Sequence, residues 1–514
     1  MSDLPAALRD PAAYPHRPAR VEWLQTHISW LFFADHLVYK VKKPVELGFL
    51  DFRSIDARRH YCAEEVRLNA ALAPGVYRRV VPIRSDGGAV RVGEGPGETV
   101  DWAVEMERLP AEGMLDRLLD AGDLDNARMR EIARVIAEFH AAAATGPGVD
   151  EHGAFAAVRQ NCVDNFTETE HLAGSAVLSE RLHDFLRGRA MAFLDDRRQL
   201  FERRVLGGRI REGHGDLHAG NICLVEQRVV VYDRIEFSAR FRCGDVAADL
   251  AFLLMDLDLR CFRAFSGFLQ HDYVARTADH ELGELVPFYK SYRAYVRAKV
   301  NALGLAALHP IERAEAEARV RGYFHLAASY EVPPALILCC GLPGSGKSYL
   351  APFLARPFEA VLLNSDRARK RAAGQPAASH REEALGEGIY TEDRSEGVYA
   401  DLLARAEALV AEGRTVVVDA GFRTRERRQP FAAMAQRVGV RLVVVHADPP
   451  ESVILERLEA REAGNASASD AGIGVYRGLK DEFEPPDEFG GDVVRFEGSV
   501  HPSVATAGVI DRLV

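Results

Sequence analysis

Residues 341–348 have the composition and the spacing of a loop that binds nucleotide phosphates. The stretch Gly341-Leu-Pro-Gly-Ser-Gly-Lys-Ser348 fills every fixed position of the pattern G-x-x-x-x-G-K-[ST]. Glycines allow main-chain N–H groups to turn toward an anion, and the N-terminus of a following helix adds partial positive charge. Lys347 is expected on the β- and γ-phosphates, and Ser348 on Mg²⁺. The predicted nucleotide-binding residues are Gly341, Pro343, Gly344, Ser345, Gly346, Lys347 and Ser348.

A second segment has the spacing of a phosphoryl-transfer loop. In His214-Gly-Asp-Leu-His-Ala-Gly-Asn221, Asp216 and Asn221 stand five positions apart, as in the catalytic loop of protein kinases. Asp233 follows twelve residues later, at the end of a β-branched run, where such kinases place a magnesium-binding aspartate. The alternative is that Asp216 and Asn221 only cap turns, which Asp and Asn side chains do readily.

A lysine and a glutamate upstream of this loop could complete the site. Lys40 lies on a predicted strand and Glu65 on a predicted helix, as in the lysine–glutamate pair that orients phosphates in kinases. Lys42 shares a strand face with Lys40, because side chains alternate along a strand. Glu64 precedes Glu65 on the helix. Lys42 and Glu64 therefore remain alternatives for the two roles.

From about residue 20 to 325, these motifs resemble the aminoglycoside phosphotransferase and choline-kinase branch of the kinase fold, whose loop is H-G-D-x-H-x-x-N. The resemblance implies that Asp216 accepts the proton of the acceptor hydroxyl or orients it. It further implies that Asn221 and Asp233 bind Mg²⁺, that Lys40 holds the α- and β-phosphates, and that Glu65 positions Lys40.

The sequence departs from this family at two places. Gln25-Thr-His-Ile-Ser29 stands where kinases have a glycine-rich loop, and Arg234-Ile-Glu-Phe237 follows the magnesium aspartate. Asp249 matches a family aspartate that is expected to support the loop structurally, and His218 is expected to be a supporting group rather than an acid or base.

Two carboxylates end predicted strands after the phosphate-binding loop. Val361-Leu-Leu-Asn-Ser-Asp366 ends in an aspartate with Arg369 three residues on, and Thr415-Val-Val-Val-Asp419 is followed by Ala420. The glutamate that ATPases use to activate water is thus missing, which favours transfer to a hydroxyl over hydrolysis. Asp366 could instead be a helix N-cap.

Arg457 and Arg461 are four residues apart and share a helix face. Residues 335–490 resemble AAA-type P-loop kinases related to chloramphenicol phosphotransferase and the zeta toxins. The resemblance implies that Asp366 activates the acceptor hydroxyl, that Arg369 binds a phosphate, that Asp419 supports Mg²⁺, and that the two arginines form a closing lid. Alternatively, the arginines only pair with glutamates on a solvated helix.

The elements that must position these residues divide the chain into two domains after an N-terminal tail of residues 1–20. Residues 21–330 are predicted to form an α+β kinase-like domain, with a small lobe at about 21–110 and a helical large lobe at about 111–330. Pro333-Pro334 marks the boundary. Strands at 335–340, 360–364, 415–419 and 441–446 alternate with helices, which predicts an α/β domain with a parallel sheet over 335–514.

Composition narrows the class of protein. The chain has 514 residues, a net charge of −11 and 47% hydrophobic residues, which is typical of soluble multidomain proteins. The negative charge gives no general argument for binding nucleic acid or an anionic membrane. Seven cysteines without C-x-x-C argue against a disulfide framework or a zinc site. No signal pattern or spanning run is present, so a cytoplasmic location without membrane association is expected.

Together, these patterns predict a bifunctional phosphotransferase that uses ATP and Mg²⁺ at both sites. The expected acceptor is a hydroxyl of a small molecule, a sugar or a nucleotide-like compound, and nucleic acid is expected only as a substrate of the P-loop domain. One alternative is a P-loop kinase that is regulated by a ligand-sensing kinase-like domain. Another is an ATP-driven switch without phosphotransfer.

Overall fold

A computed structural model describes residues 4–48, 50–226, 228–305, 308–372, 392–464 and 472–514, without the side chains of 392–395 and 461–464. The chain forms two compact units, one of Met1–Thr167 and Ala190–Arg293, the other of Glu168–Arg189 and Ala294–Val514. Residues 168–189 and 294–330 therefore group with the P-loop part. The domain boundary at Pro333-Pro334 therefore stays a prediction, which concerns only the point where the P-loop sequence begins.

The N-terminal segment packs into the core of the small lobe. Helix α1 spans Leu4–Ala7, and Leu8, Ala13 and Tyr14 are buried. The Tyr14 hydroxyl donates a hydrogen bond to the carbonyl oxygen of Leu8 at 2.6 Å. Residues 8–14 are therefore part of the packed small lobe, while the boundary of the tail at residue 20 stays a prediction. Isolated apolar residues between prolines have no helical or strand period, so this packing leaves no pattern in the sequence.

The small lobe is a six-stranded antiparallel sheet in the order β1-β2-β3-β8-β6-β7. Helix α2 begins after Ser54, whose hydroxyl accepts a hydrogen bond from the N–H of Ala57, and it packs against β8. The predicted strand of Lys40 and the predicted helix of Glu65 are confirmed. The elements are β1 Val21–Gln25, β2 Ser29–Ala34, β3 Leu37–Lys42, the separate pair β4 Glu46–Leu47 and β5 Leu50–Asp51, α2 Ile55–Asn69, β6 Tyr77–Asp86, β7 Ala89–Val92 and β8 Glu98–Glu107.

Helices dominate the chain from residue 115 to residue 329. Two short antiparallel pairs interrupt them and fix the predicted catalytic loop: β9 pairs with β12, and β10 pairs with β11. The elements are α3 Leu115–Ala121, α4 Asn126–Ala142, α5 Pro147–Gly153, α6 Phe155–Thr169, α7 Glu180–Asp196, α8 Arg198–Leu206, β9 Ile210–Glu212, β10 Ile222–Val225, β11 Arg228–Val231, α9 Ala239–Arg242, β12 Cys243–Asp245, α10 Val246–Leu259, α11 Arg263–Thr277, α12 Leu282–Ala302 and α13 Pro310–Ser329.

The P-loop part contains a five-stranded sheet in the order β14-β15-β13-β16-β17, with every neighbouring pair parallel. Its elements are β13 Ala335–Cys340, α14 Lys347–Ala355, β14 Val361–Asn364, α15 Ser365–Ala372, α16 Glu392–Ala411, β15 Val416–Asp419, α17 Arg425–Val438, β16 Arg441–Ala447, α18 Glu451–Gly464, α19 Ile473–Lys480, β17 Val493–Phe496 and α20 Ser503–Leu513.

Helices cover both faces of this sheet. In β13, Leu336, Leu338 and Cys340 pack into one hydrophobic cluster, whereas the alternate residues pack into a second cluster on the opposite face. The carboxyl ends of parallel strands meet at one edge, which is where ligands bind in such sheets. The predicted fold class, a kinase-like α+β part followed by a parallel α/β P-loop part, is confirmed. None of the described helices is both long and apolar enough to cross a membrane.

Candidate functional site

A cluster of charged side chains lies on one face of β3. Lys40 Nζ lies 2.7 Å from Glu65 Oε1 and 2.5 Å from Asp233 Oδ1. Lys42 Nζ lies 2.8 Å from Glu65 Oε2 and also binds Glu236. All of these side chains except that of Asp233 are largely buried. The cluster thus joins two ammonium groups to three carboxylates.

The alternation of side chains along β3 and their helical spacing along α2 explain this arrangement. Lys40 and Lys42 point to the same face of β3, while Val41 between them enters the hydrophobic core on the other face. Glu65 faces the lysines from α2, whereas Glu64 points away and pairs with Arg67 at 2.7 Å in a solvent-accessible position. Both lysines therefore contact Glu65, and Glu64 contacts neither within the described hydrogen bonds and ion pairs.

The charges in this cluster fix one another's ionisation. Although burial opposes it, the charges of Asp233 and Glu65 raise the pKa of Lys40 well above its usual value. Burial would raise the pKa of Glu65, but the charges of Lys40 and Lys42 outweigh it and hold that pKa at about 2. Burial raises the pKa of Glu236 against the opposing charge of Lys42. Lys40 is consequently cationic, and Glu65 anionic, at neutral pH.

The predicted catalytic loop is held from behind by Asp249. This carboxylate accepts hydrogen bonds from the main-chain N–H groups of His214 at 2.5 Å and Gly215 at 2.8 Å. The structural role predicted for Asp249 is therefore confirmed. Asn221 Nδ2 donates to the main-chain oxygen of Asp216 at 3.0 Å, so the two predicted site residues are neighbours.

His218 also serves the loop structure. Its Nδ1 accepts a hydrogen bond from the N–H of Gly220 at 3.1 Å, and its Nε2 lies 3.5 Å from Asp216 Oδ2. The ring caps the short 3₁₀ turn that ends at Asn221.

Asp233 has a left-handed backbone conformation with φ of 65°, which is rare for a residue with a side chain. Its N–H donates to the hydroxyl of Tyr77 at 3.0 Å. The next residue, Arg234, donates from its guanidinium to the main-chain oxygens of Leu68 at 2.8 Å and Glu212 at 2.7 Å. Arg234 thus ties the end of α2 to the base of the catalytic loop and fixes where Asp233 points.

The segment that replaces the glycine-rich loop is a tight turn between β1 and β2. Thr26 and Ser29 are joined by a main-chain hydrogen bond of 2.8 Å, and the Thr26 hydroxyl accepts from the Ser29 N–H at 3.0 Å. Lys43 donates from its side chain to the main-chain oxygen of Thr26 at 2.5 Å. Thr26 therefore pairs with Ser29 and with Lys43, whereas the buried hydroxyl of Ser29 has no hydrogen-bond partner among the described residues.

The loop at 341–348 forms a cradle between β13 and α14. Gly344 and Gly346 have φ of 79° and 95°, and a Cβ at Gly341 would lie 2.6 Å from the main-chain oxygen of Ala447. The cradle therefore requires glycine at these positions. The N–H groups of Gly344, Gly346, Lys347 and Ser348 donate to no main-chain acceptor among the described residues. Such a row of available donors at a helix N-terminus suits an anionic phosphate.

Polar groups that lack partners converge beside this cradle. Ser345 Oγ and Asp419 Oδ1 are buried and have no hydrogen-bond partner among the described residues. Burial raises the pKa of Asp419, while the charge of Lys347 and hydrogen bonding from Ser348 and Asn364 oppose that rise. Buried polar atoms are normally satisfied, so these two point to a ligand or a cation.

Asn364 links Asp419 to helix α15. Its Nδ2 donates to Asp419 Oδ2 at 2.6 Å, and its Oδ1 accepts from the N–H of Arg367 at 2.9 Å, which is the hydrogen bond of an N-cap. The N-cap alternative for Asp366 therefore does not apply. Asp366 lies within the first turn and binds Arg369 at 2.9 Å.

A comparison with known protein families covers the part of the chain that contains the loop at 341–348. Residues 336–486 match the model of the AAA domain family. The prediction of an AAA-type P-loop domain is thereby confirmed. Uncharacterized proteins of Mycobacterium tuberculosis and Mycobacterium bovis are 29% identical to this chain over 447 residues, which is 87% of each protein.

Two solved structures resemble the N-terminal part. One is aminoglycoside 2′-phosphotransferase-IIIa in complex with GDP, at 16% identity and a TM-score of 0.41, over 63% of this chain and 99% of that one. The other is a choline/ethanolamine kinase family protein from Mesorhizobium loti, at 14% identity and a TM-score of 0.40, over 64% and 94% of the two chains.

Arg457, one of the two predicted lid arginines of the AAA domain, contacts the phosphate-binding loop. Arg457 donates from its guanidinium to the main-chain oxygens of Ser345 at 3.2 Å and Gly498 at 3.4 Å. It does not pair with a glutamate of its own helix within the described ion pairs. The side chain of Arg461 lies outside the described residues.

Two residues of these sites were missed by reasoning from the sequence. Glu236 belongs to the segment noted only for departing from the kinase pattern, although a carboxylate three residues after Asp233 could have been tested against Lys42. Asn364 precedes Asp366 by two positions, and an asparagine before a helix is a common N-cap signal. Its second contact with Asp419 crosses between strands and has no local signal.

Proposed function

We propose that this protein is an ATP-dependent phosphotransferase whose AAA domain transfers the γ-phosphoryl group to an alcohol acceptor. The observation that carries the proposal is the loop at 341–348, whose unpaired N–H groups lie beside the unsatisfied oxygen of Asp419. Phosphoryl transfer requires positioning and neutralisation of charge more than covalent chemistry. The N–H groups of this loop and Lys347 would supply both, and the neighbouring carboxylates would hold a cation and the acceptor.

The oxygen donors of the AAA domain fit Mg²⁺. Ser348 and Asp419 are the residues that would hold it, since Mg²⁺ usually takes one or two protein oxygens together with substrate phosphates. When bound, the cation would offset negative charge that develops on the phosphate oxygens. Lys347 would bind the phosphates, and Asp366, oriented by Arg369, would accept the proton of the acceptor hydroxyl. Arg457, and Arg461 one helical turn further on, are proposed to neutralise charge on the transferring group.

The first unit is proposed to be a second site with the same chemistry. Lys40 and Glu65 would hold phosphates, Asn221 and Asp233 supply oxygen donors for Mg²⁺, and Asp216 would orient the acceptor. Small hydroxyl compounds and nucleotide-like compounds are the proposed acceptors, and nucleic acid is proposed only as a substrate of the AAA domain.

A second candidate function is favoured by the turn at residues 25–29. Because Thr26 and Ser29 are already joined by hydrogen bonds within the turn and the turn has no glycine, its backbone is poorly suited to close over phosphates. In this alternative, the first unit binds a ligand and regulates the AAA domain, which alone transfers phosphate.

A screen of acceptors with γ-labelled ATP tests the proposal. Asp366→Asn should reduce phosphorylation of the AAA-domain acceptor by about 10²–10⁴-fold if Asp366 is a general base. Asp401→Asn, an exposed aspartate on α16 of the same domain, is the matched control and should retain full activity. Asp216→Asn should leave this activity largely intact. If phosphotransfer is lost only in Asp216→Asn, the roles of the two units are reversed.

A further inference from the structure

An open cavity in the first unit lies against the main chain of the catalytic loop. The space inside it is about 620 Å³, a figure that includes open solvent, so it is a recess rather than an enclosed cavity. Four arginines line it: Arg211, Arg240, Arg242 and Arg293. Two carboxylates, Asp245 and Asp249, are also part of its wall. The charge that the cavity offers to a ligand depends on which of these side chains already pair with other protein groups.

Both carboxylates are engaged by protein groups. Asp245 is buried and accepts two hydrogen bonds from the guanidinium of Arg204, at 2.8 and 2.7 Å, and one from the N–H of Ala247 at 2.8 Å. Asp249 is buried beneath the N–H groups of the catalytic loop, as described above. A cationic ligand in the cavity would therefore find no carboxylate available to pair with it.

Two of the arginines donate hydrogen bonds only to main-chain oxygens within the described part of the chain, although the charge of Arg293 also acts on the nearby Asp249. Arg211 donates only to the main-chain oxygens of Gly208 and Ala143, each at 3.0 Å. Arg293 donates only to the main-chain oxygens of Ala248 at 3.1 Å and Gly215 at 3.0 Å. Neither forms an ion pair within the described part of the chain. Each guanidinium has five N–H donors, so each has donors left over.

The other two arginines are paired. Arg240 binds Asp164, and Arg242 lies 3.0 Å from Glu212. The polar wall of the cavity also includes Asn161 and the ring of Tyr292. The cavity consequently presents two guanidinium groups that form no ion pair within the described residues, together with neutral hydrogen-bonding groups.

We propose that this cavity binds the anionic group of a small organic molecule, a phosphate monoester or a carboxylate. Guanidinium groups form strong charge-assisted hydrogen bonds with both kinds of oxyanion. Because Arg293 also holds the carbonyl of Gly215, the residue before Asp216, a bound anion would lie next to the loop that carries the proposed acceptor-orienting aspartate. Binding at this cavity does not depend on whether either unit transfers phosphate.

Hydrogen-exchange mass spectrometry on the full chain, without nucleotide, tests the proposal. The probes are glycerol 3-phosphate for a phosphate monoester, glycerate for a carboxylate, and choline as a cation. At least one of the anions should slow exchange in peptides that cover residues 208–213 and 239–249, and choline should not. The anion that protects more strongly identifies the preferred group.

Variants then locate the site. Arg211→Gln should weaken binding of the protecting anion about tenfold or more, as expected for loss of a charge-assisted contact. Arg134→Gln, which removes an exposed arginine of α4 that pairs with Glu131 and Glu138, should leave binding unchanged. If Arg211→Gln does not fold, the test is whether an anion, and not choline, slows exchange at residues 208–213 and 239–249 of the wild type. Lack of protection by either anion, protection by choline, or equal binding by a folded Arg211→Gln would overturn the proposal.

Discussion

Replacing Glu65 by glutamine removes a negative charge from between two buried ammonium groups. Glu65 lies 2.7 Å from Lys40 and 2.8 Å from Lys42 and is fully buried. Removing one partner of a buried ion pair costs about 3–5 kcal/mol, because the other charge stays desolvated. Since each lysine retains one carboxylate, Asp233 or Glu236, we expect the lower end of that range, about 3 kcal/mol.

Glu64→Gln is the matched control for this variant. Glu64 is the adjacent residue of the same helix, and its partner Arg67 has 55% of its side chain exposed. An exposed pair three residues apart on a helix contributes at most about 0.5 kcal/mol. The two variants thus remove the same chemical group and differ only in burial and partners.

The assay is urea unfolding followed by tryptophan fluorescence. The chain has three tryptophans, Trp23, Trp30 and Trp102, and all lie in strands of the small lobe, so the signal reports on the sheet that contains the cluster. With slopes of about 1–3 kcal/mol per molar urea, a loss of about 3 kcal/mol lowers the midpoint by about 1–3 M. Equal midpoints for Glu65→Gln and Glu64→Gln would refute the reasoning.

Three further predictions concern ionisation and nucleotide binding. Lys347→Ala should remove one nucleotide site in a calorimetric titration of the full chain, whereas Lys480→Ala, at an exposed position of the same domain, should keep it. The pKa of Glu65 is about 2 in the folded protein against an ordinary value of 4.5, so its stabilising effect is fully present above pH 4.5 and is lost as the pH falls toward 2. Glu65→Gln should therefore flatten the acid side of the stability–pH curve of the small lobe, measured by the same urea titration. In the Lys347→Ala variant, the remaining nucleotide affinity should be much higher with Mg²⁺ than without it, because phosphates must compete with Asp233 for Lys40. Equal affinity in titrations with and without Mg²⁺ would contradict this.

Much of the fold could be predicted because the hydrophobic pattern of its strands and helices is clear in the sequence. The parallel strands of the AAA domain are runs of apolar residues, and four of the five strands were predicted within one residue of their ends. The fifth strand, Val493–Phe496, was missed. It has only four residues and includes Arg495, so neither its length nor its hydrophobicity separates it from a loop.

The chemistry of the sites was less accessible from the sequence for a different reason. A motif identifies residues that have fixed spacing along the chain, as in 341–348 or 214–221. It does not identify partners that meet only after folding. Lys42 and Glu236 are 194 residues apart, and Arg457 meets main-chain oxygens, which every residue carries. The choice between Lys40 and Lys42 could not be made from strand alternation, since both point to Glu65.

Under the proposed function, the two units would bind phosphate by different physical means. In the AAA domain, positive potential comes from Lys347, whose charge also acts on Asp419, and from main-chain N–H groups at a helix N-terminus, which do not titrate. In the first unit, the potential comes from Lys40, whose charge is already balanced by Glu65 and Asp233. A phosphate that binds Lys40 would have to replace Asp233, and a cation on Asp233 would favour that exchange. If the first unit binds a nucleotide as proposed, a cation on Asp233 and a phosphate on Lys40 should favour each other's binding, whereas the N–H groups at 341–348 are available to a phosphate without a cation.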